Sequence, residues 1–251
     1  VTDSPTSANP VCGPILGIDT STALGGVALV GHDGLLAEYS AEVRGAHGPR
    51  LMVAVERLLD DAGLALADLG GIGVSIGPGS FTGLRVGLAT AMGLGRAADL
   101  PLFPVSTLES VAWAVPTPGG VPVAVAITAR RNEVYGAVYH LTADPQGDRQ
   151  VPVIEPCAMP PNDFFATLNA LNTPLVLAGS GAASVLAGDN SSQICAAAPV
   201  FAQPRAAVVA WRAALLQQSG YSPPAEGLKP FYLTASQAEI AWAARQSGAT
   251  P

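Results

Sequence analysis

Between the apolar run 72-IGVSI-76 and a helical pattern over residues 80–97 stands the stretch 77-GPGSFTGLRVG-87. Strand, glycine-rich turn and long helix in that order describe a βα unit. Such a turn aims backbone N–H groups and the positive end of the helix at whatever sits there, so bound phosphate is the first reading. The spacing argues against it. A Walker loop requires G-x-x-x-x-G-K-[ST], and this stretch has no lysine; a dinucleotide loop requires G-x-G-x-x-G, and Thr82 stands where the third glycine belongs.

The helix itself offers another reading. Gly83, Gly87, Ala91 and Gly95 recur at every fourth residue and fall on one shallow stripe. Each glycine in a helix costs about 1 kcal/mol relative to alanine, so a stripe of them needs an offset. Close approach of a second helix backbone supplies one. Arg85 and Arg96 lie on the opposite side. In the preceding helical pattern, residues 49–62, Leu51, Val55, Leu58, Leu59 and Ala62 make a core stripe that Met52 and Ala54 widen. Two readings stand: one thick intramolecular core, or an association surface shared by both helices, with Leu51, Met52, Val55, Leu59, Gly83, Arg85, Gly87, Ala91 and Gly95 at its centre. On the second reading, a bulky residue at Gly87 breaks pairing and leaves a folded monomer.

Composition narrows the function classes. The 251 residues carry a net charge of −7 and no basic run, which argues against free-standing nucleic-acid binding. Cys12, Cys157 and Cys195 are far apart, without a C-x-x-C pair, and fit a reducing cytoplasm. The longest weakly charged stretch is broken by 116-PTPGG-120, so no membrane span is expected.

Along the chain, 15-ILGID-19, 24-LGGVALV-30 and 35-LLAEYSAE-42 read as a strand meander. The strand 102-LFPV-105 follows the glycine helix, with Ser106 or Thr107 placed to cap the next one. A second meander opens at 121-VPVAVAITARRNEVYGAVYHL-141. It passes to a helix near 161–171, a strand 174-PLVLA-178, the loop 179-GSGAAS-184 and a helix over 206–218. The restart suggests a duplicated α/β architecture.

The combination 15-ILGIDTST-22, 73-GVSIGPGSFTGLRVG-87, 105-VSTLES-110 and 130-RRNEVY-135 resembles the TsaB family, older name YeaZ. That resemblance implies two RNase H-like halves of the actin/Hsp70/sugar-kinase superfold. It divides the chain into a tail at 1–13, an N-terminal half at 14–106 carrying the association helices, a C-terminal half at 107–233 and a tail at 234–251. The helix at 206–218 is expected back against the N-terminal half. It also implies a non-catalytic scaffold and activator in the making of threonylcarbamoyladenosine in tRNA. The partners are TsaD, which transfers the threonylcarbamoyl group, and the ATPase TsaE, with a homodimer when TsaD is absent and tRNA reached only through the complex. No cofactor is intrinsic; ATP or ADP with magnesium belongs to the complex.

One departure from the family pattern A-x-D-A-R-x-x-E-V-Y is Thr128, where the aspartate would stand in 126-AITARRNEVY-135. A neutral hydroxyl holds no cation as a carboxylate would, which leaves Arg130, Glu133 and Tyr135 structural or contact roles. His32, His47 and His140 form no H-x-x-x-H pair of the TsaD kind. Asp19, with Thr20 and Ser21, is the candidate nucleotide contact, because relatives of the implied fold place phosphate or magnesium there; the competing role is holding the 20–22 turn. Arg44, Arg50 and Arg85 are candidates for touching a nucleotide at a subunit junction, and Glu109 for supporting its helix start. The alternative function is an independent ATP-dependent phosphotransferase or ATPase.

Overall fold

The computed structural model describes residues 13–42, 48–118, 120–130, 132–141, 152–187, 193–223 and 227–234. Apart from Gly13 and Thr234, the two expected tails lie outside this set, as do Arg44 and His47.

β1 (Ile15–Asp19), β2 (Leu24–Gly31) and β3 (Gly34–Glu42) form an antiparallel meander. There follow α1 (Gly48–Ala62), β4 (Gly71–Gly77), α2 (Phe81–Ala98), β5 (Leu102–Ser106) and α3 (Thr107–Ala114). The pattern then repeats with β6 (Val123–Thr128), β7 (Val134–Tyr139), β8 (Pro152–Met159), α4 (Pro161–Ala170), β9 (Leu175–Ala178), α5 (Ala182–Val185), β10 (Ile194–Ala196) and α6 (Ala206–Gln218). The two five-stranded sheets run β3-β2-β1-β4-β5 and β10-β9-β6-β7-β8. Counted from the first strand of each, the orders are the same: an antiparallel meander on one side, two parallel strands on the other. This is the duplicated RNase H-like arrangement of the actin/Hsp70/sugar-kinase superfold.

The central strands β1 and β6 are apolar on both faces, as sheets covered on two sides require. Leu51, Val55 and Leu58 of α1 and Leu88 and Ala91 of α2 share one core with Leu16, Ile18, Val27 and Ile72 of the first sheet. On the sheet's other face lies α6. A Cβ on Gly17 would come within 2.2 Å of the Ala206 carbonyl oxygen, and one on Gly73 within 2.6 Å of the Ala213 methyl, so bare strand positions let this helix sit close. α3 packs on the second sheet and meets α6 through Trp113 and Trp211, edge to face at 4.8 Å. α4 and α5 close the far face of the second sheet around Phe164 and Leu168.

Ser106 caps α3, its hydroxyl accepting the Glu109 N–H at 3.5 Å. The Glu109 side chain turns to α6 and pairs with Arg212 at 2.5 Å. Burial pushes the Glu109 carboxyl above the usual range, and the guanidinium pulls it back only in part.

β8 and β10 were not legible as strands. No strand is named there from the sequence, and 151-VPVIEPCAMP-160 carries three prolines. The structure accommodates them because β8 is an edge strand paired only with β7, and Glu155 and Pro156 fall where the register slips between Gly136 and Val138.

Candidate functional site

At the carboxyl end of β1, Asp19, Thr20 and Ser21 are each no more than 2% exposed. One Asp19 oxygen accepts the Ser21 N–H at 3.0 Å and the Ser21 hydroxyl at 2.8 Å; the other accepts the Ser75 hydroxyl from β4. The Thr20 hydroxyl donates to the Gly83 carbonyl at 2.7 Å, and the Ser80 N–H donates to the Ser21 carbonyl at 2.7 Å. The triad proposed for a nucleotide thus faces inward and knits β1, β4 and the start of α2 together.

That packing explains the glycines. A Cβ on Gly79 would lie 2.3 Å from the Ser21 carbonyl oxygen, and one on Gly83 2.0 Å from that of Thr20. On Gly87 it would meet the Thr20 hydroxyl at 2.3 Å, and on Gly95 the Leu102 side chain at 2.8 Å. Ala91 is fully buried in the same core. The expectation that Gly83, Gly87, Ala91 and Gly95 are kept bare for a second polypeptide is therefore corrected: the chain's own β1 turn and β5 fill that space. For the same reason a bulky residue at Gly87 is expected to strain the fold itself, where the sequence reading expects broken pairing in an intact monomer. Leu51, Val55 and Leu59 need the same correction, since all three belong to the first core. The four-residue spacing was read correctly as a packing face, but sequence alone could not say whose backbone it met.

What α1 and α2 turn outward is different. Met52 is 39% exposed, Val53 61% and Met92 42%. Ala89, Gly93, Arg85 and Arg96 are exposed alongside them, and a Cβ on Gly93 would meet nothing within 4 Å. Of the residues expected at an interface, Met52 and Arg85 are the two on this outer face. Val53, Ala89 and Met92 share this exposure without having been expected at an interface; their signal is an apolar residue outside the core stripe. Between the β2–β3 hairpin and α1 lies a groove of about 380 Å³, lined in part by Thr20, Tyr39, Arg50, Val53 and Arg57.

The second glycine loop is closed as well. Gly179, at φ +103°, would place a Cβ 2.1 Å from the Ala126 carbonyl oxygen, which also accepts the Gly181 N–H at 2.8 Å. Thr128 is exposed at the end of β6, its N–H donating to the Ser180 hydroxyl at 3.0 Å. Arg130 is exposed beside it, Glu133 is half-buried, and the Tyr135 hydroxyl pairs with that of Thr234 at 3.0 Å. Glu109 meets the helix start only through its backbone N–H on the Ser106 cap, while its side chain pairs with Arg212. Among the described residues no three His, Cys, Asp or Glu side chains gather to hold a metal, and no helix is long and apolar enough to cross a membrane.

Comparison with known proteins fits this geometry. Residues 40–242 match the family model described as TsaD, tRNA N6-adenosine threonylcarbamoyltransferase. The chain is 40% identical over 125 residues to the tRNA threonylcarbamoyladenosine biosynthesis protein TsaB of Bacillus subtilis, covering 50% of this chain and 54% of that protein. It is 40% identical over 126 residues to the TsaB of Escherichia coli, with the same coverage of each chain, 50% and 54%. These matches span about half the length of the curated relatives. The solved structure of YeaZ from Pseudomonas aeruginosa superposes with a TM-score of 0.73 at 29% identity, over 88% of this chain and all of that one. A sequence match over most of the chain and a shared architecture through both halves agree, and the chain belongs to the TsaD family, on its TsaB (YeaZ) branch.

Proposed function

We propose that this chain is a non-catalytic scaffold and activator in the threonylcarbamoylation of tRNA, pairing with TsaD, joined by TsaE, and pairing with a second copy of itself when TsaD is absent. The observation that carries this reading is the outer face of α1 and α2. Met52, Val53 and Met92 are exposed on α1 and α2, whose inner faces are already satisfied by the first sheet. Exposed apolar side chains that no core needs mark a protein–protein surface. Arg85 and Arg96 border the patch and supply a polar rim.

The carboxylate that a nucleotide site would use, Asp19, is turned into the fold and bound by hydroxyls. ATP or ADP with magnesium therefore enters at the level of the complex. With a net charge of −7, the chain leaves the grip on tRNA to its partners, in the cytoplasm where tRNA is modified. The test is reconstitution of the modification reaction with and without this chain. Modified tRNA is expected only when it is present; an equal yield in its absence defeats the reading. Calorimetry of the isolated chain with Mg-ATP separates the alternative, because tight binding with turnover would make it an ATPase in its own right.

A further inference from the structure

The segment 227-GLKPFYLT-234 has no regular structure, yet Leu228, Phe231, Tyr232 and Thr234 each fasten it. Leu228 is 8% exposed and belongs to the first core. The Phe231 N–H donates to the Ile76 carbonyl at 2.7 Å, tying the segment to the carboxyl end of β4. At Gly77, where φ is +121°, a Cβ would lie 2.5 Å from the Phe231 carbonyl oxygen. Tyr232 stacks on Phe81 with ring centroids 5.1 Å apart. Arg85 lies over Phe81 at 3.8 Å and donates from Nε to the Tyr232 hydroxyl at 3.2 Å. Two residues later the Thr234 hydroxyl meets that of Tyr135, on β7 of the other sheet.

We propose that residues 227–234 are a strap that couples the N-terminal end of α2 to the β6–β7 turn, so that loosening either anchor loosens the other. The stretch begins in the core under α2 and ends on the second sheet. Its middle anchor is an aromatic and cationic stack, and its far anchor a single hydroxyl pair. Between them lies one residue, Leu233, too short a link to absorb slack. This gives Phe81, Arg85 and Tyr135 a common purpose as the strap's receptors; the scaffold reading leaves Phe81 and Tyr135 without a role. The coupling belongs to the chain itself and holds whatever docks on α2.

Amide exchange followed residue by residue tests it, with global unfolding measured in parallel. Two amides are read: Phe231, bonded to Ile76, and Ala129, whose N–H donates to the Glu133 carbonyl at 2.9 Å in the β6–β7 turn. Tyr232→Ala, at a side chain that touches the first half, is expected to speed exchange at Ala129 as well as Phe231, by about tenfold. Thr234→Ala, at the other end, is expected to speed exchange at Phe231 by a similar factor, as the reciprocity of coupling demands. Exchange that changes only at the end that was cut, or at neither end, overturns the proposal.

Discussion

The turns β4–α2 and β9–α5 occupy equivalent places in the two halves, and each presses its glycines against the end of the half's first strand. In the first half the Ser80 N–H donates to the Ser21 carbonyl at 2.7 Å; in the second the Gly181 N–H donates to the Ala126 carbonyl at 2.8 Å. Beyond that point they diverge. The first turn opens an 18-residue helix and the second a four-residue one. The lesson is that glycine at this junction serves close packing between a strand end and a loop, and an anion site need not follow. A second lesson concerns the covers. α1 and α2 show Met52, Val53 and Met92 to solvent, whereas the outer positions of α4 are Asn162, Asp163, Ala166, Asn169 and Ala170. The sheets are alike; among the described residues α1 and α2 show large apolar side chains to solvent where α4 shows none.

The largest expected effect concerns the seam that joins the halves. Arg212→Met leaves the Glu109 carboxylate buried without its cation and should cost about 4 kcal/mol at neutral pH, read by urea unfolding. The guanidinium is the group that lowers the Glu109 pKa, so its loss raises the folded value further above 4.5. The penalty should therefore be absent below the unfolded pKa, where the carboxyl is neutral in both states, and grow as pH rises through the folded value. A penalty that does not vary with pH would separate the seam from Glu109.

Next comes the first junction. Gly87→Leu drives a side chain into Thr20 and should destabilise the chain by about 3 kcal/mol or more, by the same unfolding measurement. A stable monomer that merely fails to pair would restore the reading of this stripe as an interface. The smallest effect on stability and the sharpest contrast between covers come from charge placed on each. Met92→Glu on α2 should weaken pairing with TsaD by about a hundredfold in sedimentation or calorimetry, with stability changed by no more than about 0.5 kcal/mol. Ala166→Glu on α4 should leave both unchanged; equal effects at the two sites would erase the difference.

Much of the fold could be read before any coordinates. The pairs of strands at 15–19 and 24–30, the helix over 80–97 and the restart after residue 121 announced themselves through period and punctuation, because a covered strand must be apolar on both faces. β8 escaped because prolines in an edge strand look like a break when the missing neighbour is unknown. The candidate site was legible in part. Gly83 and Gly87 declared a close approach through their spacing, and Asp19 declared itself by ending a buried strand. Tyr232 carried no signal, since nothing local says that a residue near the end of the chain will stack on Phe81.

Sequence by itself determined most of the elements, their duplicated order and the family, because periodicity and a dense local motif are properties of neighbours along the chain. Tertiary structure alone decided which surfaces stay bare. The glycine stripe of α2 is a groove in either setting, and only the path of Thr20 across it shows that the chain's own backbone fills it. Outside that groove, the exposure of Met52 and Met92 depends on what else the fold brings over them, a contact between distant residues that no local pattern encodes.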